Sequence, residues 1–456
     1  MLNLRLSAVA VWTRGSLHGA DAPVRGVSTD SRKVTADDLF VALKGEHHDG
    51  HEHLAQAAGR GAVGALVMRR VNSDLPQVVV ADTLLGLGDL ASAVRAKRRT
   101  RVVGITGSNG KTTVKTLIAA ILQRHGRTHS NAGNFNNEIG LPLSLLAMPQ
   151  DSEYAVIEMG AGKPGDIAYL AAIARPEVGL VNNIAPAHLE RMHTLEGVAE
   201  TKGALYQALP ADGAAIINAD DAFADFFAGL AGSRRVLRFG FSAKADVHAR
   251  DIVLEPERSA FTLVTPAGSQ SMQLPLPGRH NVGNALAAAA IAHALDVPLA
   301  AIAEGLQSAP AVGGRLRRQV AAGGWSVIDD SYNANPGSTG AAIATLALQP
   351  GERWLVLGDM AELGSDAAVM HAQIGKQAHD AGIEKLFAVG TLSAHAAQAF
   401  GADGRHFATQ AELIAALRTQ LRAGLSVLVK GSRSAGMEHV VAALLGGDGG
   451  GARHAA

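Results

Sequence analysis

Residues 102–113, which read VVGITGSNGKTT, decide the fold around them. A short apolar run leads into glycines at 104, 107 and 110, and residues 114–123 after GKTT have the pattern of a helix. This order predicts a phosphate-binding loop, because successive backbone N–H groups and a helix N-terminus attract an anion. The strict motif requires glycine where this chain has Ile105, and the alternative is a plain glycine-rich turn. A Gly-Lys-Thr-Thr sequence between strand and helix favours the phosphate loop.

The composition indicates a globular protein of several domains. A length of 456 residues predicts about three domains, and 47% hydrophobic with 18% charged residues is ordinary for such a chain. The formal net charge is zero, so no basic field favours nucleic acid or an anionic membrane as a partner. No apolar run has the 18 residues of a membrane-spanning helix, and residues 1–12 are predicted to form an amphipathic helix, not a signal peptide. The absence of cysteine excludes disulfides and thiolate chemistry and fits a cytoplasmic location.

Alternating strand and helix signals predict an α/β protein with three domains. The predicted domains are residues 1–95, 96–312 and 313–446, and residues 447–456 are predicted to be a disordered tail. The last domain carries a clean βαβ series, which implies a parallel sheet. The basic run from Arg95 to Arg101 is interpreted as a solvated helix end before a linker, and the glycines near 313 as a hinge.

Two polar residues follow predicted strands of the central domain. Glu158 lies near the C-terminal end of a strand at 154–159, where parallel α/β sheets bind ligands, so it is placed to hold Mg²⁺. Its alternative role is that of a capping carboxylate. His188 leaves the strand at 179–184 and has the alternative role of a packed loop histidine.

Two further positions are ambiguous from the residues alone. Lys202 lies in a helix predicted at 195–208 and would ordinarily be a surface lysine with a buried stem. His280 and Asn281 open an alanine-rich helix, so they could simply cap it.

Polar loops supply candidate binding surfaces. Residues 131–140 are rich in asparagine, whose amides cannot be buried without partners, so a surface loop with binding capacity is predicted. Residues 330–336 form a similar loop before a helix. In the first domain Ser31, Arg32 and Lys44 are expected to touch an anionic small molecule. Four histidines at 47–53 suggest a metal site as an alternative, but their spacing matches no standard site.

Together these stretches resemble the Mur ligase family of bacterial cell-wall synthesis over about residues 25–445. The GKTT loop is common to that family and to folylpolyglutamate synthase. The more specific segments resemble the branch of the family that adds D-alanyl-D-alanine to UDP-N-acetylmuramoyl-tripeptide. These segments are NFNNEIGLP (134–142), NNIAPAHLE (182–190), LPGRHNVGNALAA (276–288), DDSYNANPGS (329–338), GDMAELG (358–364) and VKGSRSAGME (429–438).

The resemblance implies a fold and a reaction. The first domain would bind the UDP-sugar, the central domain would be a P-loop ATPase, and the third would be a Rossmann-like ligase domain. ATP would phosphorylate the tripeptide carboxylate, and the amine of D-alanyl-D-alanine would attack the acyl phosphate to give the UDP-linked pentapeptide. A monomer is expected, and the third domain is expected to close over the second.

The resemblance also assigns residues to ATP and to two Mg²⁺ ions. Thr112 and Glu158 would hold one ion, His188 would contribute to the second, and Lys202 would be carbamylated and would ligate metal. Lys111 would reach the outer phosphates, and Arg315 the γ-phosphate. The residues expected to contact the nucleotide are Gly107, Ser108, Asn109, Gly110, Lys111, Thr112, Thr113, His280, Asn281, Asn284, Arg315 and Asp330.

A second set of residues is expected to bind the two other substrates. They are Ser31, Arg32, Lys44 and Asp49 for the UDP-sugar; Asn134, Asn136, Asn137 and Glu138 for the peptide; and Asn333, Asn335, Lys430, Ser432 and Arg433 for the dipeptide.

Two other functions compete with this reading. Folylpolyglutamate synthase shares the loop and central domain but lacks a UDP-binding first domain, whereas about 95 residues precede the loop here. A nucleotide-gated switch would need only the loop and a metal carboxylate, and it leaves DDSYNANP and KGSRSAGME unexplained.

Overall fold

The structure is a computed structural model, and it describes residues 2–186, 189–310 and 312–446. Three large sheets follow one another along the chain, and each lies within one of the three predicted segments. The segment boundaries themselves stay a prediction. Among the described residues, no helix has both the length and the hydropathy needed to cross a bilayer.

The first segment contains a five-stranded sheet in the order β2-β7-β6-β5-β4, parallel except for the β2–β7 pair. A separate antiparallel pair, β1–β3, lies beside it. The elements are β1 (Leu4–Arg5), α1 (Leu6–Trp12), β2 (Ser16–His18), β3 (Pro23–Val24), β4 (Gly26–Ser28), β5 (Asp38–Val41), α2 (Leu54–Gly59), β6 (Gly64–Val67), β7 (Gln77–Val79) and α3 (Thr83–Ala96).

The second segment contains a nine-stranded sheet in the order β16-β15-β14-β13-β12-β11-β8-β10-β9. The pairs from β9 to β14 are parallel, and β14, β15 and β16 form an antiparallel extension. The first elements are β8 (Arg101–Thr106), α4 (Lys111–Gln123), β9 (Thr128–Ser130), α5 (Gly140–Ala147), β10 (Tyr154–Glu158), α6 (Asp166–Ala174), β11 (Val178–Val181), α7 (Leu189–Met192) and α8 (Leu195–Gln207). They are followed by β12 (Ala214–Asn218), α9 (Ala224–Ala231), β13 (Arg235–Gly240), β14 (Val247–Leu254), β15 (Ser259–Thr265), β16 (Gly268–Leu274), α10 (Arg279–Ala294) and α11 (Leu299–Gln307).

The third segment contains a six-stranded sheet in the order β17-β18-β22-β19-β20-β21, in which only β17 is antiparallel. Its elements are β17 (Arg317–Val320), β18 (Ser326–Asp330), α12 (Pro336–Leu346), β19 (Arg353–Gly358), α13 (Ala367–Asp380), β20 (Lys385–Val389), α14 (Ser393–Phe400), β21 (Gly404–Phe407), α15 (Gln410–Arg418), β22 (Ser426–Lys430) and α16 (Glu438–Leu444).

The first two segments share a hydrophobic core. Leu87 and Leu90 of α3 belong to one buried cluster with Leu145 of α5 and Leu170 of α6, which we call the shared apolar cluster. In the described part of the chain, the buried clusters of the third segment contain only residues from 316 onward. Among the described residues, a buried apolar cluster therefore joins the first segment to the second, and none joins the second to the third.

The prediction that the basic run is a solvated helix end is wrong for Arg95, which is buried, whereas Lys97 and Arg99 are exposed just after the end of α3. The guanidinium of Arg95 donates to the backbone oxygens of Ala174 (2.9 Å) and Arg175 (3.2 Å), and Arg101 already belongs to strand β8. The run therefore ties α3 to the second segment.

Candidate active site

The phosphate loop joins the central strand β8 to helix α4. Gly110 lies in the left-handed region, at φ 80°, and is the N-cap residue of the helix without any side-chain capping bond. A Cβ at this position would lie 2.3 Å from Asn284 Oδ1 and 2.5 Å from Asn182 Nδ2, so only glycine fits. The free N–H groups of a 13-residue helix consequently face an open space, as anion binding requires.

Lys111 folds back over its own loop. Its Nζ donates to the oxygens of Gly107 (2.8 Å) and Ser108 (3.2 Å). Burial lowers the pKa of Lys111, with Glu158 opposing that shift and Arg315 adding to it. The ammonium thus lies at the mouth of the loop, held by two carbonyl groups that an incoming anion can replace.

Glu158 comes beside the loop because β10 pairs with β8, with Glu158 opposite Ile105. The carboxylate is 3% exposed and accepts hydrogen bonds from Thr112 Oγ1 (2.9 Å) and Asn136 Nδ2 (2.8 Å). Lys115 Nζ lies 3.3 Å from Glu158 Oε2. These contacts gather a hydroxyl, an amide and a lysine around one carboxylate.

The carboxylate of Glu158 is held in its ionised form. Burial alone would raise its pKa, but Lys115, Lys111 and the bonds from Asn136 and Thr112 outweigh burial, so the pKa is below its usual value. The oxygens of Glu158 and Thr112 are hard donors of the kind that Mg²⁺ prefers. Among the described residues, no three histidine or carboxylate side chains gather in a way that could hold a metal, so Glu158 would need other donors.

Lys202 is buried, which excludes the interpretation that it is an ordinary surface lysine with a buried stem. It lies in α8, is 1% exposed, and makes no hydrogen bond or ion pair with any residue in the described part of the chain. Burial, followed by the positive charge of Lys111, lowers the pKa of Lys202 to about 7. A large fraction of its amine is therefore neutral at physiological pH.

A chain of buried amides connects helix α10 to the phosphate loop. Asn284 Nδ2 donates to Asn281 Oδ1 (3.1 Å), and Asn182 Nδ2 donates both to Asn284 Oδ1 (3.0 Å) and to the backbone oxygen of Asn109 (2.9 Å). The N-cap of α10 is Gly278 without a side-chain capping bond, so the alternative that His280 and Asn281 only cap this helix is wrong.

His280 is neutral at physiological pH. Burial, with a smaller effect of Lys430, lowers the pKa of its imidazole to about 4. A neutral imidazole can donate one hydrogen bond and accept another, which suits recognition of a heteroaromatic base.

Two side chains of the third segment reach the phosphate loop. Arg315 Nη2 donates to Thr112 Oγ1 (2.9 Å), and Asn335 Nδ2 donates to Asn109 Oδ1 (2.7 Å). Asp330 and Lys430 end the neighbouring strands β18 and β22, and their buried side chains pair at 2.5 Å. The third sheet thus presents its C-terminal edge to the loop.

Most of these groups surround one cavity of about 710 Å³, whereas Thr112, Lys115 and Lys202 are not among its lining residues. The predicted site residues that line it are Ser108, Asn109, Gly110, Lys111, Thr113, Asn136, Asn137, Glu138, Glu158, His280, Asn281, Asn284, Arg315, Asp330, Asn333, Asn335 and Lys430. The lining residues come from positions between 108 and 430, so loops that are far apart in the chain meet at one site.

Other predicted residues lie outside the cavity wall. Asn134 is exposed, Ser432 is buried, and Arg433 pairs with Glu438 (3.0 Å). His188 lies outside the described residues. Their assigned roles stay predictions.

The four predicted residues of the first segment do not line this cavity. Arg32 pairs with Asp30 (2.9 Å), and Ser31 Oγ donates to Gln56 Oε1 (2.6 Å). Asp49 and Lys44 form an isolated backbone bridge. The Oδ1 atom of Asp49 accepts a hydrogen bond from the backbone N–H of His51 (3.0 Å) and lies 2.5 Å from Nδ1 of the His51 ring. The UDP-sugar contacts of this segment stay a prediction.

Lys115, Asn182 and Asn183 are among the residues of the site that escaped the sequence analysis. Lys115 follows Lys111 by four positions and so lies on the same helix face, a signal that the sequence did contain. Asn183 receives hydrogen bonds from the backbone N–H groups of Ser108 and Asn109, both at 2.9 Å. Asn182 donates from its side-chain amide to the loop. Its position directly after the end of β11, where parallel sheets bind ligands, could have indicated a site residue.

Comparison with known proteins yields three family models that together match most of the chain. The Mur ligase catalytic domain matches residues 23–96, the Mur ligase middle domain 105–292, and the Mur ligase glutamate ligase domain 314–433. The chain belongs to the Mur ligase family. Its three sheets and its ATP-dependent ligase chemistry follow from that membership, and the resemblance inferred from the sequence motifs is confirmed.

Similar Mur ligases include UDP-N-acetylmuramoyl-tripeptide–D-alanyl-D-alanine ligases from two bacteria. The Escherichia coli enzyme is 46% identical over 97% of this chain and 99% of its own length. The Bacillus subtilis enzyme is 34% identical over 98% of this chain and 99% of its own length.

Solved Mur ligase structures confirm the predicted three-domain α/β fold. MurF from Acinetobacter baumannii has a TM-score of 0.93, with 35% identity over 98% of this chain and all of that one. MurF from Thermotoga maritima in complex with ADP has a TM-score of 0.82, with 27% identity over 93% of this chain and 97% of that one. A folylpolyglutamate synthase from Mycobacterium tuberculosis, at 19% identity and a TM-score of 0.64 over 80% of this chain and 95% of its own, shares the fold alone.

Proposed function

We propose that this Mur ligase joins D-alanyl-D-alanine to UDP-N-acetylmuramoyl-tripeptide, with ATP converted to ADP and phosphate. The observation that carries the proposal is the cavity in which the phosphate loop, the carboxylate of Glu158 and the loops after β18 and β22 meet. Relatives of that name align with nearly the full length of the chain, which supports the same pair of substrates here.

The reaction proceeds in two steps. The C-terminal carboxylate of the tripeptide attacks the γ-phosphorus of ATP, the bond to the β-phosphate oxygen breaks, and an acyl phosphate and ADP result. The amine of D-alanyl-D-alanine then attacks the acyl carbon, phosphate leaves, and the amine loses a proton. Catalysis of the first step is mainly positioning and charge neutralisation.

The loop is arranged for that first step. Lys111 would exchange the carbonyl oxygens of Gly107 and Ser108 for phosphate oxygens, and Arg315, already at Thr112, would meet the γ-phosphate. His280, Asn281 and Asn284 would bind adenine.

The oxygens of Thr112 and Glu158 would hold one Mg²⁺, His188 would contribute to a second, and carbamylated Lys202 would ligate metal. Bound Mg²⁺ would neutralise charge on the transferred phosphoryl group. The neutral amine of Lys202 is the form that reacts with CO₂, and the resulting carbamate would offer hard oxygens in place of a cation.

The remaining predicted residues would contact the other substrates. Asp330 would hold the ribose, and Asn134, Asn136, Asn137 and Glu138 the peptide. Asn333, Asn335, Lys430, Ser432 and Arg433 would surround the dipeptide, and Ser31, Arg32, Lys44 and Asp49 the UDP-sugar. The enzyme would act as a monomer in the cytoplasm.

The decisive experiment measures phosphate release from ATP with UDP-N-acetylmuramoyl-tripeptide, in the presence and absence of D-alanyl-D-alanine. We expect sustained release only with both substrates, loss of release in Lys111→Ala, and normal release in the exposed control Lys376→Ala. Release that ignores the dipeptide would contradict the proposal. Release with tetrahydrofolate and glutamate would establish the folate enzyme instead.

A further inference from the structure

The ring of Tyr332 lies next to two arginines that serve different substrates in the proposed reaction. Arg315 Cζ is 4.5 Å from the ring centroid, and Arg433 Cζ is 6.0 Å from it. Guanidinium groups within about 6 Å of an aromatic face are attracted by its negative quadrupole. The ring also lines the cavity.

Arg315 needs support, because its side chain crosses from the third segment to the phosphate loop. The only hydrogen bond that its guanidinium makes to a described residue is the one to Thr112 Oγ1, and no carboxylate among the described residues forms an ion pair with it. A long side chain held at one point has several rotamers available, and fixing it costs conformational entropy. The face of Tyr332 is the second contact that restricts those rotamers.

The backbone brings the two residues together. The N–H of Tyr332 donates to the oxygen of Gly314 (3.3 Å), directly before Arg315. Gly314 lies at φ +68°, and a Cβ there would be 3.1 Å from Tyr332 Cβ. A glycine at 314 therefore lets the arginine-bearing loop approach the aromatic residue closely.

The ring and not the hydroxyl group of Tyr332 makes these contacts. Within the part of the chain that the structure describes, the Tyr332 hydroxyl has no hydrogen-bond partner, and the ring is partly exposed toward the cavity. A phenylalanine at this position would offer the same face to both arginines.

We propose that Tyr332 is a positioning residue that holds the Arg315 guanidinium at the phosphate loop, with Arg433 of the predicted dipeptide loop next to the same ring. The inference deepens the proposed function and rests on it, because Arg315 matters only if phosphate is transferred there. The two arginines, one for ATP and one for the dipeptide, would then share one aromatic support.

The test compares Tyr332→Phe with Tyr332→Leu in the ligase assay. We expect the phenylalanine variant to keep kcat within about twofold, and the leucine variant to lose roughly tenfold to a hundredfold, since small misplacements of a catalytic group have such effects. The KM for UDP-tripeptide should stay unchanged in both. Phe407→Leu is the matched control, because Phe407 supports Arg405 at 5.6 Å in the same segment, outside the cavity wall.

A double-mutant cycle separates this role from a general structural one. If Tyr332 acts through Arg315, adding Tyr332→Leu to an Arg315→Lys enzyme should lower kcat far less than it does in the wild type. Equal losses in both backgrounds, wild-type kcat in Tyr332→Leu, or a defect in Tyr332→Phe as large as in Tyr332→Leu would each overturn the inference. A wild-type enzyme without dipeptide-dependent phosphate release would instead contradict the proposed function.

Discussion

Lys202 illustrates how burial alone changes what a side chain can do. Burial and the charge of Lys111 lower its pKa to about 7, whereas an ordinary lysine with a pKa near 10.4 is neutral only to roughly one part in a thousand at pH 7.5. Only the neutral amine adds CO₂. The carbamate should therefore form readily above pH 7, and protonation of the amine should prevent it as the pH falls below 7.

This reasoning predicts a pH-dependent carbamate signal in the protein. With ¹³C-labelled bicarbonate, the carbamate resonance should be strong at pH 8, weaken through pH 7, and be absent from Lys202→Met. Lys376→Met, at an exposed lysine, should keep it. A resonance of undiminished strength in Lys202→Met would show that another amine carries the group.

The same residue allows a test by chemical rescue. Lys202→Ala should lose ligase activity, and short-chain carboxylates in the buffer should partly restore it by replacing the missing carbamate oxygens. A wild-type rate in the variant without added carboxylate would rule out this role of Lys202.

At the scale of elements, the contact between the phosphate loop and the start of α12 joins two segments. Asn335 donates to Asn109 Oδ1 across the cavity, while its own side-chain oxygen caps α12 by accepting from Ser338 N (2.9 Å). An aspartate would keep the cap but lose the donor, so the two roles of Asn335 can be separated.

We therefore predict that Asn335→Asp retains wild-type thermal stability but raises the KM for ATP about fivefold, the effect of losing a hydrogen bond worth about 1 kcal/mol. Asn335→Ala should also destabilise the protein by about 1 kcal/mol, since the helix cap is lost. Thermal unfolding and steady-state kinetics measure the two effects. An unchanged KM for ATP in Asn335→Asp would mean that this contact has no part in nucleotide binding.

The sequence predicted those elements whose pattern is local. The apolar run of β8, the glycines after it and the helix α4 are recognisable in a single short window, and so is the strand that ends at Glu158. Strand β14 has no such simple pattern because it is irregular: its pairing with β15 shifts between Arg250 and Val253, and Asp251 has a positive φ of 56°. The burial of Arg95 was equally hard to foresee, because two of its three acceptors, the oxygens of Ala174 and Arg175, lie about 80 residues away.

The site residues also divide into those that a local sequence pattern predicts and those that it does not. Lys111 and Glu158 could be placed together because neighbouring parallel strands end at one edge of a sheet. The contact of Tyr332 with Arg315 depends on side-chain directions that no local pattern encodes, whereas the four-residue spacing of Lys115 from Lys111 was a local signal for the ion pair of Lys115 with Glu158.

On the scale of the whole molecule, no buried apolar cluster of the described residues joins the third segment to the other two. The contacts of the third segment with the second include the polar ones of Arg315 and Asn335, the pairing of Arg318 with Glu257, and the bond from Gln349 Nε2 to Pro256 O (2.8 Å). Segments joined without a large apolar interface usually move relative to one another.

We accordingly expect the third segment to close further over the second when substrates bind, which would protect the acyl phosphate from water. Small-angle scattering should show a smaller radius of gyration with a non-hydrolysable ATP analogue and UDP-tripeptide than with neither ligand. Identical scattering profiles in the two states would contradict closure.

The shared apolar cluster has a consequence for how the chain can be divided. Leu87 and Leu90 of the first segment are covered by Leu145 and Leu170 of the second, so cutting the chain after α3 would expose an apolar face on both fragments. Such faces promote aggregation. A cut near residue 310 separates fragments whose buried clusters are each complete among the described residues. A fragment meant to stand alone should therefore keep the first two segments together.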